Sequence, residues 1–168
     1  LLLYSGNDNA VAIADHIAGS TEKFAEMMNA EAKKLMATNS HFVNPSGLHD
    51  DNHYTTAYDL YLIFNECIKH DEFVKIINSS SYTAHITGAD GTKRDVKWEP
   101  TNYYAKGEAT PPDNVTIIGG KTGTTKGAGN CLILLTKDSS GNPYISIIMG
   151  AGSKPLLYQD MTSMLSKI

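Results

Sequence analysis

The chain has 168 residues, 41% of them apolar and 19% charged, and a formal net charge of −4. That length suits one domain, which buries roughly 70% of its unfolded surface, and the apolar fraction excludes a disordered chain. Arg94 is the only arginine; a nucleic-acid binder needs clustered Lys and Arg, so that partner is excluded, and apolar runs such as 131–135 are too short to span a bilayer.

Residues 8–18 are rich in Ala, Val and Ile and stop at Gly19, which predicts a first helix. Ser20 offers an N-cap for a second over 21–36, where Phe24, Met27, Met28 and Leu35 recur near a 3.6 period. Asn-Pro and Ser-Gly pairs in the polar stretch 37–54 mark turns. Thr55 or Thr56 can cap a third helix with Leu60, Ile63, Phe64 and Cys67 on one face, and a short helix is expected around 71–77. Beyond Ser79 the texture alternates. "YTAHIT" and "KRDVKWEP" flank the turn signal "GADG" and predict a hairpin. "NVTIIGGKTGTT", "CLILLTK" and "YISIIMGA" predict three more strands, and Ser153 with Pro155 opens a final helix. Helices, then an antiparallel meander, then a helix make an α+β protein.

"GGKTGTT" at 119–125 places a lysine between glycines, before a run of hydroxyls. A phosphate-binding P-loop needs glycine at position 115, which is Val115, and a helix starting at the lysine, where glycines and a strand follow instead. The other functional reading puts the segment on an edge strand beside an active site. Lys121 then supplies a fixed positive charge, the hydroxyls of Thr122 and Thr124 supply donors to a substrate carboxylate, and Gly123 lets a substrate backbone approach. A lysine in an ordinary loop is the plain alternative. "YSGND" adds a second element. Ser5 can relay a proton, and the Asn7 amide can hold both a lysine and a substrate carbonyl.

A Ser-x-Asn followed far downstream by Lys-Thr-Gly is the pairing found in penicillin-binding proteins and β-lactamases. The segments "LLLYSGNDNAVAIADHIAGS", "MNAEAKKL", "NSHFVNPSGLHDDNHYTTAYDL" and "GGKTGTTKGAGNCL" resemble, in the same order, the serine D-Ala-D-Ala carboxypeptidases of peptidase family S11, the low-molecular-mass penicillin-binding proteins. The resemblance implies a transpeptidase-like fold and an extracytoplasmic enzyme of the cell envelope that needs no cofactor or metal. It would cleave peptidoglycan stem peptides through an acyl-serine and be acylated by β-lactams. It assigns Ser5, Asn7 and Lys121 to catalysis and Thr122, Gly123 and Thr124 to substrate binding. It adds Lys154, which stands where the family often carries an arginine and is a point charge without that residue's bidentate fork.

In that family a Ser-x-x-Lys nucleophile motif precedes Ser-x-Asn, whereas this chain starts four residues before Ser5. "STEK" at 20–23 has the right pattern in the wrong place and reads as a helix cap. The expectation is a single partial domain, residues 1–168, which is inactive as it stands and self-associates through an uncovered strand at 144–150 and the apolar helix face around Val11 and Ile13. A non-catalytic peptidoglycan- or protein-binding module and a β-lactamase are the two alternatives. His41, His49 and His53 near Asp50 and Asp51 read as a structural loop rather than a metal cluster. Cys67 and Cys131 read as buried free thiols, although a disulfide between them stays open. Trp98, Tyr103 and Tyr104 read as packing for the β region.

Overall fold

A computed structural model describes all 168 residues. Its elements are α1 (Asn7–Ala18), α2 (Thr21–Lys34), α3 (Ala57–Cys67), α4 (Asp71–Ile77), β1 (Tyr82–Thr87), β2 (Lys93–Trp98), α5 (Tyr103–Lys106), β3 (Val115–Thr125), β4 (Gly129–Asp138), β5 (Pro143–Ala151) and α6 (Lys154–Leu165). Three of the longer helices start at a side-chain cap. Ser20 Oγ accepts from Lys23 N at 3.2 Å, Thr56 from Asp59 N at 3.1 Å and Ser153 from Leu156 N at 3.3 Å. Each cap satisfies an amide that the first helical turn leaves free.

The strands form two separate antiparallel sheets, a β1–β2 hairpin and a three-stranded sheet ordered β3-β4-β5. The expected single meander is thus divided, because 99–114 carries the short α5 instead of continuing the ladder. In the larger sheet β4 is central and covered on both faces, so Leu132–Thr136 is buried throughout. Leu132 and Leu134 pack with Leu157, Tyr158, Met161 and Leu165 of α6 and with Tyr104. On the opposite face, Ile133 and Leu135 pack with Phe64 of α3 and Ile77 of α4. Such a strand reads as a continuous apolar run because neither face meets water.

Two glycines let α4 and β4 press close to β3. A Cβ on Gly119 would lie 2.2 Å from the Ile77 carbonyl oxygen, and one on Gly120 would lie 2.1 Å from that of Ile133. The ladder to β4 shifts register between Ile117 and Gly119, a bulge that re-aims the strand before Lys121. β3 and β5 are both edges.

Of the face expected on α2, Phe24, Met28 and Leu35 are half-buried and Met27 alone is exposed, at 50%; the fully buried positions are Ala25 and Ala32, whose small side chains let α1 and α2 approach closely. The thiols also differ from expectation. Cys67 and Cys131 are free but only half-buried. No helix is long and apolar enough to cross a membrane.

Candidate active site

Ser5 and Lys121, 116 residues apart, meet directly: Lys121 Nζ donates to Ser5 Oγ at 2.6 Å. Each reaches the contact by a distinct backbone device. Ser5 has φ of 68° and its N–H donates to Leu1 O at 2.7 Å, so a tight turn in the left-handed region lifts the hydroxyl off the lip of α1. A serine held there is sparsely populated conformational space, of the kind that clusters at functional sites. Lys121 leaves β3 opposite Ile133, on the face turned to α3 and α4, whereas Thr122 pairs with Leu132 on the α6 face. Lys121 Nζ also donates to Thr122 O at 2.7 Å. Burial lowers the Lys121 pKa from its usual 10.5, since removal from water disfavours the charged amine. No carboxylate pairs with it among the ion pairs of the molecule.

Beside this contact lies a cleft of about 320 Å³, lined by Ser5 and Asn7 on one wall and Thr122, Gly123, Thr124 and Cys131 on the other, with Lys154 at its α6 end. Six of the seven residues singled out from sequence therefore line one concavity, and Lys121 stands behind its wall. Asn7, the first residue of α1, caps nothing with its side chain. The lysine bonds run to Ser5 and the Thr122 carbonyl rather than to the asparagine amide expected to hold it. A Cβ on Gly123 would have only Cys131 Cβ near it, at 4.0 Å, so the missing side chain leaves room in the cleft.

Four further lining residues came from outside the motifs: Thr101, Tyr103, Leu157 and Tyr158. The aromatic expectation divides accordingly. Trp98 stacks on Tyr82 within the hairpin at 6.2 Å, and Tyr104 is buried against α6 with its hydroxyl 2.7 Å from Thr162 Oγ1. Tyr103 instead faces the cleft, stacked on Tyr158 at 4.6 Å, with Lys154 Nζ 5.7 Å from its ring centre. The pattern Thr-Asn-Tyr-Tyr sends alternate side chains out and in, and that alternation was the available signal. Cys131 lines the cleft because it pairs with Gly123 across β3 and β4; the expectation of a buried thiol fails where β4 runs out from under the helices.

"STEK" plays no part here. Ser20 Oγ is engaged as the α2 cap and is absent from the cleft wall. The histidines hold their own loop. His53 Nδ1 accepts from Val43 N at 3.2 Å, His41 Nδ1 lies 2.6 Å from Asn52 O, and burial lowers the His53 pKa. Asn44 Oδ1 accepts from the amides of Ser46, Gly47 and Leu48, the local turn bonding expected of Asn.

The α+β arrangement and the Ser-x-Asn/Lys-Thr-Gly cleft define a DD-peptidase type of protein. A family model described as D-alanyl-D-alanine carboxypeptidase, peptidase S11, matches residues 1–153, and the chain belongs to that family. It is 31% identical over 170 residues to the D-alanyl-D-alanine carboxypeptidase DacF of Bacillus subtilis, covering 98% of this chain and 40% of that protein. With the D-alanyl-D-alanine carboxypeptidase DacD of Escherichia coli it shares 34% identity over 155 residues, 91% of this chain and 36% of that one. The crystal structure of the Streptomyces K15 DD-transpeptidase matches with a TM-score of 0.88 at 29% identity, over 99% of this chain and 63% of that chain. The chain spans about 36–40% of the length of these curated relatives.

Proposed function

We propose that the cleft receives the D-Ala-D-Ala end of a peptidoglycan stem peptide in a serine D,D-carboxypeptidase acting at the cell envelope, and that β-lactams occupy the same place. The observation carrying this reading is the 2.6 Å bond from Lys121 Nζ to Ser5 Oγ. Ser5 accepts from the lysine, so its own proton is free to point into the cleft. That proton passes to the departing D-Ala nitrogen, and Lys121 resupplies it. Burial lowers the cost of the lysine's losing a proton, which a relay through it requires. The Asn7 amide, unused as a cap, orients the peptide carbonyl. Thr122, Thr124 and Lys154 meet the terminal carboxylate with two hydroxyl donors and one positive charge, while Gly123 admits the peptide backbone.

The test uses the whole gene product, because this chain covers only 36–40% of the Bacillus subtilis and Escherichia coli relatives above. Incubation with an acyl-D-Ala-D-Ala peptide is expected to release D-Ala, and a fluorescent penicillin is expected to label the protein covalently. Binding of peptide without release or labelling would replace this reading with a binding module; rapid hydrolysis of the penicillin would replace it with a β-lactamase. For self-association we propose the β5 edge, which has no strand partner on its outer side and exposes Tyr144 and Met149. Light scattering at micromolar concentration should show a dimer or larger species that Met149→Lys shifts toward monomer. A monomer at every concentration would overturn it.

A further inference from the structure

Thr101 belongs to none of the sequence motifs, yet its Oγ1 lies 2.5 Å from Thr122 Oγ1, and both line the cleft. We propose that Thr101 is a positioning residue whose hydroxyl pairs with that of Thr122, so that the two together present one committed O–H donor to an anionic, carboxylate-bearing ligand end. The inference rests on the functional reading above for the identity of that ligand.

The argument is one of proton count. Two hydroxyls bring two protons, and the bond between them consumes one. Whichever oxygen donates, a single O–H remains for the cleft, and the partner bond polarises it into a stronger donor. An isolated threonine hydroxyl is instead free to turn either its proton or its lone pairs toward the ligand. Against a carboxylate the lone pairs are repulsive, so removing that freedom favours the anion.

The fold holds Thr101 at this point through its neighbours, not through the hydroxyl bond itself. Asn102 is 3% exposed and its Oδ1 accepts from Tyr104 N at 3.1 Å. Tyr103 N donates to Tyr158 OH at 2.9 Å, tying the segment to α6. Thr101 thus stands on backbone fastened on its C-terminal side, while Thr122 stands on β3, paired with Leu132 of the central strand. Two rigid supports from different parts of the chain set one hydroxyl direction. A merely structural threonine would have no reason to face the cleft across from the only residue of Lys-Thr-Gly with a hydroxyl.

The test compares Thr101→Val, which keeps the shape and removes the hydroxyl, with Thr101→Ser, which restores it. In the whole gene product, Thr101→Val should raise KM for a peptide ending in D-Ala-D-Ala carboxylate about three- to tenfold, as the loss of one hydrogen bond predicts, with the loss confined to KM. Thr101→Ser should recover most of it. On the same peptide with a C-terminal amide the Val penalty should vanish, since no carboxylate is there to be read. Equilibrium titration of both peptides, followed by the Thr122 and Gly123 amide resonances, supplies a readout that needs no turnover. The wild type should prefer the carboxylate and Thr101→Val should lose part of that preference. Equal losses on both peptides, no loss on either, or failure of Ser to rescue would overturn the inference. Carboxylate preference without D-Ala release would leave Thr101 in its role and sink the carboxypeptidase reading instead.

Discussion

The β3-β4-β5 sheet and the β1–β2 hairpin use the same antiparallel ladder, but only the first is packed on both faces. Leu132, Leu134 and Thr136 of β4 are at most 1% exposed. The hairpin pairs Tyr82 with Trp98 through Thr87 with Lys93 and buries none of those residues fully. Its outer face carries Lys93 and Lys97 and an exposed His85–Asp95 contact of 2.6 Å. Packing fixes geometry only where side chains have no alternative place to go. The cleft therefore sits on the edge of the packed sheet, and the hairpin supplies no residue to its wall.

Four comparisons sharpen or break that contrast. The largest effect is expected at Lys121. Lys121→Ala in the whole gene product should lower kcat/KM about 10²–10⁴-fold, the range for removing a positioned proton-transfer group, while Arg94→Ala on the hairpin leaves turnover unchanged. Comparable losses for both would dissolve the distinction. Next comes the core: Leu134→Ala should cost about 2–5 kcal/mol by chemical denaturation, against no more than about 0.5 kcal/mol for Thr83→Ala on the hairpin.

The glycines give a smaller and more pointed comparison. Gly119→Ala drives a Cβ against the Ile77 carbonyl, 2.2 Å away, and should cost about 1–3 kcal/mol by overpacking. Gly91, in the hairpin turn, has φ of 81° and open space around it, so Gly91→Ala should cost about 1–2 kcal/mol from backbone strain alone. Replacing either glycine by Asn separates the mechanisms, since Asn tolerates the left-handed region but is larger. Asn should recover stability at 91 and lose more at 119. The same response at both sites would mean that one mechanism governs both.

The smallest effect is on pH dependence. The folded-state pKa of Lys121 lies below its unfolded value of 10.5, so between those two values the unfolded chain binds more protons. Stability linked to this group therefore rises as pH increases through that window and is absent below the folded pKa. Comparing stability against pH for the wild type and Lys121→Met isolates the group from the tyrosines that titrate nearby. The wild type should gain relative to Lys121→Met as pH climbs toward 10.5. A relative loss would mean that the Ser5 contact favours the charged amine more than burial disfavours it.

Local chemistry in the sequence determined a great deal. Ser20, Thr56 and Ser153 cap the helices they precede, the short helix expected around 71–77 forms over Asp71–Ile77, and the hairpin turns at "GADG". The family followed from the order of the Ser-x-Asn and Lys-Thr-Gly segments, which the family match over residues 1–153 bears out. Tertiary structure decided what depends on distant partners. Nothing local predicts that Ser5 adopts φ of 68°, because an L-residue enters that region only when surrounding contacts hold it there. Nothing local predicts that Thr101 meets Thr122 or that Cys131 emerges beside Gly123. Helix caps and turns are settled by bonds between residues two to four apart, whereas a cleft wall is settled by which remote elements pack together, and only the folded chain brings those together.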